Sequence, residues 1–122
     1  MGSIRDKITK KFPDMKGYTM QKIIEGALKE SPFVLIEIGS GQCMPCKAIK
    51  EKIERWLIMH KEVQFYYISI EDDPALCSQM GIFTVPALLL YGEGKLIQQK
   101  AGYFSLTEVF DKIERIERIL DK

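Results

Sequence analysis

The 122-residue chain reads as an α/β domain with a central mixed β-sheet flanked by helices on both faces. Three features of the sequence lead to that reading. Two apolar runs rich in β-branched and aromatic residues, 33–38 and 63–70, bracket a segment with helical periodicity. Two later runs, 86–91 and 96–101, are separated only by Gly92-Glu93-Gly94-Lys95, too short for anything but an antiparallel hairpin. Amphipathic helical stripes precede the first run and follow the last.

Taken in order, residues 1–18 form a polar lead-in with Pro13, Gly17 and no sustained period, and Met1-Gly2-Ser3 has the composition of a cloning remnant. The domain proper is expected over 19–122. Thr19 is placed to cap a helix reaching about Glu30, with Met20, Ile23, Ile24, Ala27 and Leu28 inward. The strand Phe33-Val34-Leu35-Ile36-Glu37-Ile38 follows, then a Gly39-Ser40-Gly41 turn. Ile49, Ile53, Trp56 and Leu57 repeat at the spacing of one helical face, so a helix opens at the cysteines and is expected to run to near Lys61. A helix between two strands makes them parallel, with a right-handed crossover. Asp72-Asp73-Pro74 starts a short helix that stops at Gly81. Ser105-Leu106-Thr107-Glu108 is a capping box for a last helix whose buried stripe is Val109, Phe110, Ile113, Ile116 and Leu120.

Composition narrows the function by exclusion. With 46% hydrophobic and 29% charged residues and a formal net charge of +1, the chain offers no electrostatic case for nucleic acid or a membrane surface. No apolar stretch approaches the ~20 residues of a membrane span. The basic N-terminus lacks a signal-peptide core, which makes the cytoplasm the expected location. Three cysteines, an odd number, fit one redox pair plus one free thiol better than an extracellular disulfide framework.

The pair is Cys43-Met44-Pro45-Cys46, at a strand-to-helix turn. Pro45 suits the first helical turn, where amides have no intrahelical acceptor. Helix positions three apart lie roughly 5 to 6 Å from each other, within disulfide reach. Closing so small a ring stabilises a fold by only about 2 kcal/mol, so the bond is a poor staple. Its position suggests exchange instead. Helix-terminal amides favour a thiolate, and lowering a thiol pKa from ~8.5 to ~7 raises the ionised fraction about 15-fold, against a nucleophilicity loss of about 5-fold. Cys43 can face solvent, while Cys46 points inward. Half of a zinc site is the competing reading, but the single histidine, His60, lies 14 residues further along the expected helix, ~21 Å away. Glu37 is the lone carboxylate in an apolar strand; burial should raise its pKa and suit it to accept a proton near neutrality. Cys77 reads as a small buried hydrophobe, with a regulatory or dimer-forming thiol as the alternative.

With Cys43-Met44-Pro45-Cys46-Lys47 on that turn and Thr84-Val85-Pro86 opening a later strand, the chain resembles the thioredoxin family. The resemblance runs from about Thr19 to the C-terminus and includes Asp73-Pro74, Gly81-Ile82, the run 86–91, Gly94 and Gly102. It implies a thioredoxin-like fold and a thiol–disulfide oxidoreductase that reduces protein disulfides. Cys43 would attack and Cys46 resolve. Pro86 would be a cis proline facing the disulfide, presenting the Val85 backbone to an extended substrate. Glu37 stands where the family has a buried Asp serving as proton relay. Gln42, Met44, Pro45, Val85 and Gly102 would form the substrate-facing surface. The resemblance further implies no organic cofactor or metal, protein disulfide substrates, a dithiol reductase as electron donor, and a monomer.

Three positions depart from the family pattern: Gln42 replaces the Trp before the first cysteine, Met44 replaces a Gly, and Tyr67 replaces the lysine that often accompanies the buried acid. They leave two alternatives open. One is a binding or scaffold module with incidental cysteines; the other is an exported oxidant, isomerase or cytochrome-maturation reductant.

Overall fold

A computed structural model describes residues 20–120. The polar lead-in, the Thr19 cap and the expected domain start at residue 19 lie outside the described residues. Helix α1 spans Met20–Glu30, strand β1 Phe33–Gly39, helix α2 Met44–Leu57 and strand β2 Val63–Ser69. Helix α3 (Pro74–Gln79), strands β3 (Ala87–Gly92) and β4 (Lys95–Ala101), and helix α4 (Leu106–Leu120) complete the order.

The strands form one sheet in the order β2-β1-β3-β4. β1 runs parallel to β2, with Glu37 opposite Tyr67, and antiparallel to β3, with Ile38 opposite Ala87. β3 and β4 pair antiparallel, with Ala87 opposite Ala101. The mixed sheet is the one the connection lengths require.

Every residue of β1 is buried, which explains its nearly unbroken apolar sequence. Its alternate side chains serve two cores. Val34, Ile36 and Ile38 join Tyr66, Ile68, Ala87 and Leu89 beneath Ile24 and Ala27 of α1 and Leu76 and Cys77 of α3. Phe33 and Leu35 join Val63, Phe65, Leu88 and Leu90 beneath Ile53 of α2 and Val109 and Ile113 of α4. Each fully buried aliphatic side chain contributes about 1.5–3 kcal/mol, so both helical layers are held mainly by this area.

Helix ends follow local chemistry. Leu76 N–H donates to Asp73 Oδ1 at 3.1 Å with Pro74 next in the chain, and Glu108 N–H donates to Ser105 Oγ at 3.3 Å. Two expectations need correction. Helix α2 stops at Leu57 rather than near Lys61, because Ile58, Met59 and His60 donate to Arg55, Trp56 and Leu57, three residues back, tightening the chain out of the helix. His60 is therefore not on the helix. In α4 the buried stripe ends at Ile116, since the core cluster reaches no further and Leu120 is 59% exposed.

The hairpin turns through Glu93 and Gly94, both with positive φ (51° and 79°). Glycine adopts this conformation freely; glutamate does not. Glu93→Asn should stabilise the fold by about 0.5 kcal/mol by supplying the Asn-Gly pair that such turns favour, and Gly94→Ala should destabilise it by about 1 kcal/mol. Urea unfolding midpoints check both.

Candidate active site

The C-terminal end of β1 delivers the chain to the cysteines. Cys43 is the N-cap of α2 with extended backbone (φ −92°, ψ 100°), and its Sγ accepts from Cys46 N–H at 3.2 Å. The two cysteines are joined as a disulfide with Cα atoms 5.3 Å apart. Cys46 is fully buried, whereas Cys43 stays partly exposed. The sulfurs are therefore unequal: one sits at the amide-rich start of a helix and the other in the core.

Two loops frame the pair. The loop before Cys43 is clamped by Glu71, whose carboxylate accepts from Gly41 N–H at 3.2 and 3.3 Å and from the Ser69 hydroxyl. The Ser69 bond chiefly holds the Glu71 carboxyl below its ordinary pKa. Within that loop, Gln42 N–H donates to Ser40 Oγ at 3.2 Å. On the other side the Val85–Pro86 peptide is cis, and Gly102 N–H donates to Pro86 O at 2.9 Å. Since Ala87 pairs with both Ile38 and Ala101, the Pro86 and Gly102 loops share one end of the sheet with the turn after Gly39.

The residues predicted to face a substrate fall on these loops and on the first turn of α2: Gln42, Met44 and Pro45 are exposed, and Val85 and Gly102 are half-buried. Three large apolar side chains stand out from this end of the molecule, Met44 at the start of α2 (70% exposed) and Phe83 (75%) and Tyr103 (fully exposed) on the loops. Phe83 and Tyr103 escaped the sequence reading. The available signal was a large apolar residue in each turn segment beside Pro86 and Gly102, where polar residues are usual.

Beneath α2 lies the acid. Glu37 is fully buried, and neither carboxylate oxygen has a hydrogen-bond partner. Its pKa is pushed up to about 8 by burial, with Lys50 pulling it down and Glu54 adding to the rise. Across the strand, the Tyr67 pKa is raised by burial first, then by Glu37, Glu71 and Asp72. Lys50 Nζ lies 5.0 Å from the Tyr67 ring centroid. Gly39 completes the packing: a Cβ there would lie 2.8 Å from Cys46 Cβ and 3.0 Å from Cys46 Sγ, and would collide with the Tyr67 hydroxyl. No larger residue fits without moving the disulfide.

Other candidates lie elsewhere. Cys77 is buried in the core under α1, and burial raises its thiol pKa. Among the described residues, His60, Glu62 and Glu117 bring metal-ligating atoms within 4.8 Å of one another, beyond the far end of α2 from the cysteines. Nor is any described helix long and apolar enough to cross a membrane.

Comparison with known proteins agrees with this arrangement. Residues 16–115 match the family model for thioredoxin. The chain belongs to the thioredoxin family. It is 24% identical over 108 residues to the thioredoxin-like protein YdfQ of Bacillus subtilis, covering 88% of this chain and 96% of that protein. It is 26% identical over 76 residues to Thioredoxin-2 of Pyricularia oryzae, where the match covers 62% of this chain but only 44% of the relative. Among solved structures, thioredoxin 1 of Thermosipho africanus superposes with a TM-score of 0.67 at 27% identity, covering 73% of this chain and 99% of that one. A thioredoxin variant of Halobacterium salinarum gives 0.69 at 23% identity over 78% of this chain and 83% of that chain, a likeness of fold. The family's disulfide oxidoreductase fold and its Cys-x-x-Cys spacing are both present.

Burial of Glu37 has a pH signature. Its folded pKa of about 8 lies above the ordinary value of 4.5, so between those limits the folded state keeps a proton that the unfolded state has lost. Stability must fall as pH rises through that window, by roughly 1.4 kcal/mol for each pH unit crossed, and level off above it. Glu37→Gln should therefore be more stable than the wild type at pH 9, by several kcal/mol, and nearly equal to it at pH 4. Urea melts at the two pH values test this; an equal gain at both would mean packing, not ionisation.

Proposed function

We propose that this chain reduces protein disulfides by thiol–disulfide exchange. The observation that carries the reading is the inequality of the two sulfurs, with Cys43 partly exposed at a helix N-terminus and Cys46 fully buried behind it. In the reduced protein, the Cys46 N–H that meets Cys43 Sγ is a donor for a Cys43 thiolate. That thiolate attacks a substrate disulfide, forming a Cys43–substrate bond and releasing the first substrate sulfur as thiolate. Cys46 then gives up its proton and attacks Cys43, which releases the second substrate thiolate and leaves the Cys43–Cys46 disulfide. Glu37, buried nearby with a pKa near the working pH, is the proton acceptor for that second step.

Pro86 and the Val85 backbone provide the wall against which an extended substrate segment lies, with Gln42, Met44, Pro45 and Gly102 completing the contact surface. Exposed Met44, Phe83 and Tyr103 suit apolar side chains flanking the substrate cystine. Exchange between sulfurs needs no metal or organic cofactor, and a dithiol reductase would return the disulfide to the dithiol. A monomer in a reducing, cytoplasmic setting fits this direction of electron flow.

Reduction of insulin disulfides should be lost at least 100-fold in Cys43→Ser. Cys46→Ser should retain attack but stall as covalent mixed disulfides that a reductant releases, seen as mass-shifted species on a non-reducing gel. Undiminished insulin reduction by Cys43→Ser would remove Cys43 from the chemistry, and a wild-type rate no higher than the uncatalysed one would leave only a binding module.

A further inference from the structure

Tyr67 occupies a position with a chemical use that the exchange scheme above leaves unassigned. It is the register partner of Glu37 on the neighbouring parallel strand, so both side chains leave the sheet on the face covered by α2. Side chains in strands lean along the strand, and Tyr67 reaches forward to Gly39, two residues beyond Glu37. Gly39 has no side chain, and the space this leaves is shared by two atoms: the Tyr67 hydroxyl and Cys46 Sγ both crowd the point where a Cβ would stand. The glycine thus brings a phenol O–H beside the buried sulfur.

We propose that the Tyr67 hydroxyl is a catalytic group that donates a hydrogen bond to the Cys46 sulfur and stabilises the Cys46 thiolate during resolution. This rests on the thiol–disulfide exchange reading above. In that step the Cys46 thiol passes its proton to the Glu37 carboxylate, and the resulting thiolate attacks the Cys43 sulfur of the mixed disulfide. The Cys43–Cys46 bond forms, the Cys43–substrate bond breaks, and the substrate sulfur leaves with the electron pair. Tyr67 keeps its own proton throughout. Its surroundings favour this: burial first, then Glu37 from β1 and Glu71 and Asp72 from the segment after β2, all disfavour a phenolate. Lys50 and Glu54 of α2 act on the neighbouring Glu37, and the Lys50 ammonium lies 5.0 Å from the Tyr67 ring centroid. A neutral donor therefore stands where an ammonium would otherwise be the obvious stabiliser of a thiolate. It offers a directed hydrogen bond without adding a buried charge.

The test separates the two chemical steps. The full-length reduced protein is mixed with a chromogenic aryl disulfide in a stopped-flow cell; attack by Cys43 releases the first aryl thiolate, and attack by Cys46 releases the second. Tyr67→Phe removes one oxygen and keeps the ring. The first release should stay within about twofold of the wild type, while the second slows about tenfold at pH 7, as expected for losing a hydrogen bond to a charged group. The apparent pKa governing the second release should rise by about one unit, so that its rate recovers at high pH. An unchanged second release, a slowing independent of pH, or an equal slowing of both steps would overturn the assignment. If the wild type releases no first aryl thiolate, the exchange reading fails and takes this assignment with it; if Cys43 reacts and only the Tyr67 effect is absent, exchange stands and the hydroxyl has no part in it.

Discussion

Strand β1 is sealed on every side: β2 and β3 take its hydrogen bonds, and two helical layers cover its faces. Any side chain on it must be apolar, or must exist in a form that tolerates an apolar place. Glu37 is the exception: burial pushes its pKa up to about 8, so that near neutrality the protonated form predominates while the charged form stays accessible. The strand's end is equally constrained, because Gly39 has room only for a hydrogen. The site thus inherits its rigidity from the most buried element of the fold. Cys43 and Cys46 are aimed by a strand that cannot slide without turning its whole apolar set outward.

Two sulfurs only three residues apart consequently experience different solvents. Cys43 is partly exposed and accepts from a helix amide; Cys46 is enclosed in the core, on the gap at Gly39 that the Tyr67 hydroxyl also borders. Asymmetry of this kind gives two groups of one chemical type unequal exposure and unequal surroundings. The clamp from Glu71 to Gly41 adds to it by fixing the loop that leads to Cys43 against the end of β2. The negative charge of that clamp is held at the surface, where solvent screens it.

Much of this was legible from periodicity and spacing. The βαβ order, the hairpin, the Asp73 and Ser105 caps and the inward direction of Cys46 each follow from local rules, and the buried acid was visible as one carboxylate in an apolar strand. Local rules failed where neighbouring elements decide. Ile58 and Met59 extend the apolar pattern of α2, yet they are exposed, at 59% and 82%, because the chain has already left the helix. Leu120 continues the stripe of α4 past the point where the core has anything to cover it. Phe83 and Tyr103 acquire meaning only once the Gly102 to Pro86 bond brings two distant loops together. Tyr67 stands out in the sequence only as the replacement for the lysine that often accompanies the buried acid, and the place of its hydroxyl emerges once Gly39 is seen to make room for it.

Trp56, the only tryptophan of the chain, has a different neighbourhood. Its ring stacks on His60 at 3.9 Å and on Phe110 at 4.3 Å, and its indole N–H donates to Glu114 at 3.3 Å. It stands ten residues past Cys46 on the same helix, about 15 Å along the axis. At that distance the sulfurs are out of contact with the excited indole. The indole fluorescence of this protein is thus a gauge of how α2 and α4 are seated against each other rather than of direct contact with the cysteine pair.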